Sequence, residues 1–183
     1  MKNITFFVSI CLILMISTSA IAGDKIGFRA GYHSAMIYDK DGSKLSGVDP
    51  LSNLYLGIYK DNRIVPLLRF GFGLEYFQNG VNIKASDEKY AAHYLSVPVH
   101  LKVKAGPVFA QTGISGNIKV SESLPSGTTD DSKPKSFDAP FHIGGGFSFL
   151  VFKIEARYHW GLTDLNDAGD RNRYLQIGAA VSF

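Results

Sequence analysis

Beyond Ala22 the chain alternates apolar and polar residues with a period of two along nearly its whole length, and no other feature limits its fold so tightly. Leu68, Phe70, Phe72, Leu74 and Tyr76 interleave with Arg69, Gly71, Gly73 and Glu75. A helix would scatter such residues around its axis, whereas a strand sends them to two opposite faces. The same two-face pattern recurs in six further segments. Ile26, Phe28, Ala30 and Tyr32 oppose Gly27, Arg29, Gly31 and His33, and Leu54, Leu56 and Ile58 are in phase within Asn53–Tyr59. Leu95 to Val103 oppose Ser96, His100, Lys102 and Lys104, with Pro98 predicting a bulge or a lost backbone bond. Phe141 to Phe149 oppose His142, Gly144, Gly146 and Ser148; Phe152 to Trp160 oppose Lys153, Glu155, Arg157 and His159; and Leu175 to Phe183 oppose Tyr174, Gln176, Gly178, Ala180 and Ser182. An eighth strand, Val108–Ile118, alternates weakly and its faces stay open.

The connections alternate too. Asp39–Ser52, Gln78–Ala92, Lys119–Asp138 and Asp164–Asn172 are long, while Lys60–Arg63, Ala105–Pro107 and Leu150-Val151 are short. Long loops on one side and short turns on the other suit an even-stranded barrel crossing an outer membrane with both termini on the short-turn side. The tight reversal at Leu150-Val151 lacks the Gly, Asn or Asp that a two-residue hairpin prefers, so its boundaries are expected to shift by a few residues.

The choice between a soluble and a membrane barrel rests on which face is small. A soluble lipocalin-like barrel keeps its apolar face inside and shows charge to water. Here the polar face is mostly Gly, Ala and Ser with a few charges, which suits a narrow interior, and Tyr32, Tyr76, Tyr158 and Trp160 stand near strand ends as interfacial aromatics do. The expected fold is therefore all-β: an eight-stranded antiparallel transmembrane β-barrel of up-and-down meander topology, closed because an open edge in hydrocarbon would strand backbone groups.

The N-terminus agrees with export. Lys2, the apolar run Ile4–Ile16 and the small-residue site Ala20-Ile21-Ala22 form a signal peptide over residues 1–22, leaving 23–183 as one barrel domain. The single cysteine, Cys11, falls within that leader, which excludes disulfides and thiolate metal sites from the mature chain. With 19 Lys+Arg against 16 Asp+Glu, nothing points to nucleic acid.

Two segments carry a resemblance. Tyr94-Leu95-Ser96-Val97-Pro98-Val99-His100-Leu101-Lys102 and Glu155-Ala156-Arg157-Tyr158-His159-Trp160-Gly161-Leu162-Thr163-Asp164-Leu165 resemble recurring patterns of porin-like outer-membrane β-barrel domain proteins, the Bacteroidetes type that includes the PorT-like group. Val97 stands where Ile is usual. The resemblance implies a barrel in the outer membrane of a Gram-negative bacterium. It also implies that Phe183 is the C-terminal aromatic read by the barrel assembly machinery. Members of the family include proteins linked to secretion.

The candidate site residues are the charges expected to point inward: Arg69, Glu75, Lys102, Glu155 and Arg157. Buried charges persist when paired, so a salt-bridge network filling the lumen is preferred over an ion path. His33, His100, His142 and His159 share the inner faces without metal-ligand spacing, and lumen hydrogen bonding is their expected role. His159 with Thr163 and Asp164 invites comparison with lipid-modifying barrel enzymes, but no His-x-Ser-Asn signature follows it. Asp164–Asp170 begins like a calcium loop yet has Ala168 at its fifth position and Leu175 at its twelfth. Gly144-Gly145-Gly146 precedes no helix and so is no phosphate loop. No cofactor is expected. The expected function is a non-enzymatic structural or partner-binding one, with a narrow conduit for ions or small solutes as the alternative, and the partners expected are outer-membrane lipid, the assembly machinery and a protein at the outward loops.

Overall fold

The computed structural model describes residues 25–45, 47–83, 89–125, 133–167 and 169–183; the signal peptide expected over residues 1–22 lies outside them. Nine strands follow in order: β1 (Lys25–Tyr38), β2 (Val48–Arg63), β3 (Leu68–Ile83), β4 (Lys89–Ala105), β5 (Val108–Ser123), β6 (Phe137–Asp138), β7 (Pro140–Phe149), β8 (Phe152–Gly161) and β9 (Arg171–Ser182). Each pairs antiparallel with its chain neighbour, except that both β6 and β7 pair with β5, and β1 pairs with β9. The short β6 and β7 form one stave interrupted at Ala139, so the barrel is closed with eight staves.

The stagger can be read from the register. Following cross-strand partners from Asp61 through Gly71, His100, Gly113, His142, His159, Tyr174 and Ala35 returns to β2 at Leu51, ten residues from the start. Ten residues of stagger over eight strands tilts the strands by about 41° from the barrel axis. At that tilt a strand of sixteen residues, such as β3, rises roughly 36 Å, more than the apolar band of about 25 Å that such barrels present. The strands accordingly continue well past the lipid-facing residues. β2, β3, β4 and β5 each absorb residues that alternation alone assigns to loops.

Burial is inverted relative to a soluble protein. Phe28 is 61% exposed and Ile154 65%, whereas Arg157 is 1% exposed and Glu75 1%. Along β5 the open question of facing is resolved: Phe109, Gln111, Ser115 and Asn117 are buried, while Val108, Ala110, Thr112 and Ile114 face outward. Pro98 produces no bulge. The β3–β4 register is the same on both sides of it, with the pairing absent between Phe72↔Val99 and Glu75↔Ser96, as a missing donor dictates. Bulges occur instead between Pro50 and Leu56 and at His93/Tyr94, toward the long-loop end.

Two turn readings change. The β2–β3 turn is not Lys60–Arg63 but residues 64–67, where the Leu68 amide donates to Val65 O at 3.1 Å around Pro66. The Leu150-Val151 turn, in contrast, sits where alternation places it, between Phe149 and Phe152, with no boundary shift. Its unusual sequence shows as backbone strain, since Leu150 has φ 54° and Val151 does not share the positive φ. That is the pattern of a type II′ turn, whose first central residue favours glycine. Replacing Leu150 by Gly is expected to stabilise the barrel by about 0.5–1 kcal/mol, the relieved strain exceeding the entropy glycine adds to the unfolded chain. Urea unfolding midpoints of the two proteins in the same bilayer check this.

Candidate functional site: the polar interior of the barrel

Inward positions alternate between large polar side chains and glycine, and the two are matched across strands. A Cβ on Gly57 would lie 2.6 Å from Glu75 Cγ, and one on Gly144 would lie 2.8 Å from Arg157 Cγ. A Cβ on Gly71 would lie 2.6 Å from Asp61 Oδ1 and closer still to His100 Nε2. These glycines are the space into which the charged residues fold. Gly144 and Gly146 belong to this set, and neither begins a helix.

At mid-height four charges meet. Arg157 donates through Nη1 to Glu75 Oε1 at 2.8 Å and through Nη2 to Oε2 at 3.1 Å, a bidentate fork. Arg29 Nη1 lies 3.1 Å from Glu155 Oε1 and 3.2 Å from Glu75 Oε1, and its guanidinium sits 4.1 Å over the Tyr59 ring. Arg157 Nε is 3.5 Å from Glu155 Oε1. Two guanidiniums and two carboxylates thus form a neutral, fully buried quartet across β1, β3 and β8.

A second group lies toward the short-turn end. Asp61 accepts from Lys102 Nζ at 2.7 Å and Lys153 Nζ at 3.0 Å, and its other oxygen lies 3.1 Å from His100 Nε2. Of the sequence-predicted residues, the structure brings Glu75, Glu155 and Arg157 together, places Lys102 in this separate group, and leaves Arg69 half-exposed at the mouth. Arg29, Asp61 and Lys153 were missed. Arg29 and Lys153 carry the signal, since each shares the parity of residues already assigned inward. Asp61 also keeps parity with Tyr55, Gly57 and Tyr59 but falls in the segment read as a turn.

Toward the long-loop end the interior becomes aromatic. Tyr174 stacks on His159 at 4.2 Å and tilts against His33 at 4.9 Å, while His33 stacks on Phe77 at 4.8 Å and meets Asn79 Oδ1 at 2.8 Å through Nε2. His142 packs 4.9 Å from His159. Among the described residues no cluster of His, Cys, Asp or Glu is arranged to hold a metal ion.

The end beyond is capped by Leu165 from the β8–β9 loop, which is 2% exposed and packs with Ile37 and Val81. Thr163 holds that loop down, donating to Asp138 Oδ1 at 2.9 Å while accepting from the Ala139 amide at 2.9 Å. Asn166 Nδ2 donates to Asp170 Oδ2 within the loop at 2.8 Å, Arg171 Nε at the start of β9 donates to Asp164 Oδ1 at 3.2 Å, and Asp167 pairs with Lys135 at 3.0 Å. Leu165 and Thr163 therefore make this loop a cap on the barrel end rather than only a polar connection.

The geometry matches known barrels. The structure of Ail, the attachment invasion locus protein of Yersinia pestis, in complex with the heparin analogue sucrose octasulfate superposes with a TM-score of 0.54 at 15% identity, over 87% of this chain and 99% of that one. OprG from Pseudomonas aeruginosa gives 0.50 at 17% identity, covering 88% and 96%, and Neisserial surface protein A gives 0.50 at 17%, covering 88% and 98%. At these identities the likeness is one of fold. No curated protein matches the chain. Residues 23–167 match the family described as outer membrane protein beta-barrel domain, and on that match the chain belongs to the outer-membrane β-barrel family.

Proposed function

We propose that this protein is a closed, non-conducting scaffold that holds four outward loop regions above the outer membrane for a partner protein. The observation that carries the reading is the filled interior: the Arg29–Glu75–Glu155–Arg157 quartet spans the lumen at mid-height, and Leu165 caps it beyond. In this reading residues 1–22 are a cleaved leader, and the short turns face the periplasm. Phe183, 72% exposed at the rim, is the signal for the assembly machinery. The Tyr94–Lys102 and Glu155–Leu165 segments support placement in the PorT-like group of Bacteroidetes barrels, whose links to secretion suit a loop-presenting scaffold. A lipid-modifying enzyme is disfavoured by His159, which is 2% exposed and stacked on Tyr174 inside the barrel, away from any acyl chain.

A narrow conduit is the competing function. Reconstituted into planar bilayers, the folded protein is expected to give a silent baseline, because desolvating an ion past a neutral, fully paired quartet has no compensating interaction. Resolved single-channel steps would overturn the scaffold reading.

A further inference from the structure

Asp61, Glu75, Glu155 and Asp138 are the carboxylates buried among the described residues. The first three each meet a lysine or an arginine, whereas Asp138, 1% exposed, has none at ion-pair distance among the described residues. Lys119, two residues along β5 from Asn117, is engaged by Glu122 and the Pro134 carbonyl instead. Buried charges are ordinarily paired or coordinate a metal ion, because an unpaired one forfeits its hydration. Thr163 donates to Asp138 Oδ1 at 2.9 Å, which leaves Oδ2 to two asparagines. Asn117 Nδ2 stands 3.4 Å from Oδ2 and Asn172 Nδ2 3.3 Å, and Asn117 Nδ2 is also 3.3 Å from the Tyr174 hydroxyl. These contacts are long, since charge-assisted bonds to a carboxylate settle at about 2.7–2.9 Å. The other ends of the amides fare worse. Asn117 Oδ1 and Asn172 Oδ1, on residues 0% and 1% exposed, meet no donor.

The two ends of an Asn amide have nearly the same size, so either end fits the same place. With both amides turned over, their oxygens stand 3.3 and 3.4 Å from Asp138 Oδ2. Neighbouring oxygens of an octahedral shell held about 2.4 Å from its cation, as around calcium, are about 3.4 Å apart, whereas around magnesium they close to about 2.9 Å. We propose that Asp138, Asn117, Asn172 and the Tyr174 hydroxyl form a site for one oxygen-coordinated cation of calcium or sodium size, inside the barrel at its long-loop end. The site is one carboxylate among neutral oxygens, unlike a cluster of acidic or histidine ligands. Its members come from β5, β6 and β9, so the ion ties together staves that are not all neighbours in the sheet. Thr163, half-buried and the most exposed residue bonded to Asp138, belongs to the β8–β9 loop, which the ion therefore braces from below.

Isotope-labelled folded protein in phosphatidylcholine nanodiscs, stripped with EDTA and kept at constant ionic strength with choline chloride, is titrated separately with calcium, magnesium and sodium chloride. Saturable shifts are expected in the side-chain amides of Asn117 and Asn172 and the backbone amides of Asp138 and Thr163. For calcium, half-saturation is expected on the order of 0.1–1 mM, the range of sites with few charged ligands, and magnesium is expected to bind about tenfold more weakly or worse because it demands the shorter spacing. In the D138N protein the saturable response is expected to disappear, with heat-modifiable gel migration unchanged. The same shifts on sodium, with none on calcium, support the site and make its ion monovalent. Absence of a saturable response to either ion would overturn the proposal, as would an equal response in D138N. The comparison of calcium with magnesium needs no variant: magnesium binding as tightly as calcium would also overturn it.

Discussion

Glu75→Gln is expected to lower the stability of the barrel by about 3–5 kcal/mol, the effect of leaving a buried charge without its partner. Glu75 is the hinge of the quartet. It receives both nitrogens of the Arg157 fork at 2.8 and 3.1 Å and stands 3.2 Å from Arg29. With a neutral amide there, two guanidiniums share the single carboxylate of Glu155, and the new NH₂ group turns a donor toward donors. Neither arginine can escape to water, because Arg29 is 3% and Arg157 1% exposed. The unfolding midpoint in urea, followed by loss of the fast-migrating gel band, reads the effect. A change below about 1 kcal/mol would show that the quartet is solvated, as surface pairs are.

Asp61→Asn is expected to cost a similar amount, about 3–5 kcal/mol, by a different route. Here one carboxylate serves two lysines and a histidine, and without it Lys102 and Lys153 repel each other in a narrow mouth. Adding Lys102→Met to Asp61→Asn is expected to return more than half of the loss, since removing both ends of a buried pair leaves less uncompensated charge than removing one. The double-mutant cycle in urea unfolding provides the check. If the double variant is no better than Asp61→Asn alone, the penalty comes from packing around Asp61 rather than from the lysines.

The legibility of this fold follows the membrane. Where strands cross lipid, one face must be apolar and the other must fit a narrow lumen, so Leu68–Tyr76, Phe152–Trp160 and Leu175–Phe183 alternate cleanly and read directly as strands. Past the lipid the outer face meets water while the inner face packs an aromatic and aliphatic layer, and the alternation fades. That is why Gln78–Ile83 and Lys89–Ala92, which continue β3 and β4, read as loop. Asp61 was hidden by its neighbours: the polar tetrad Lys60–Arg63 has the composition of a turn, whereas its pairing with β1 and β3 and the bonds of Asp61 to Lys102 and Lys153 are tertiary. Leu165 was hidden for the converse reason. One leucine among Asp164, Asn166, Asp167 and Asp170 has no periodic partner, and its burial depends on Ile37 and Val81, which are distant in sequence.

The interior charges were legible as a set, because parity assigns a face, but not as pairs, because partners are fixed by the stagger. Glu75 and Arg157 meet across the lumen from β3 and β8, and no local pattern encodes a ten-residue shear. The two segments that resemble porin-like barrels gain a physical meaning in this light. Glu155 and Arg157 contribute half of the quartet, Thr163 and Leu165 fasten and cap the outer end, and Tyr94, 0% exposed, fills the aromatic layer between.

The most direct test of the account is the gel migration of the membrane-extracted protein with and without boiling. A closed barrel held by paired interior charges predicts that the unboiled protein, recovered from the outer-membrane fraction, runs faster than the boiled one and keeps that mobility in detergent. Identical mobility before and after boiling, with the protein recovered in the soluble fraction, would contradict it.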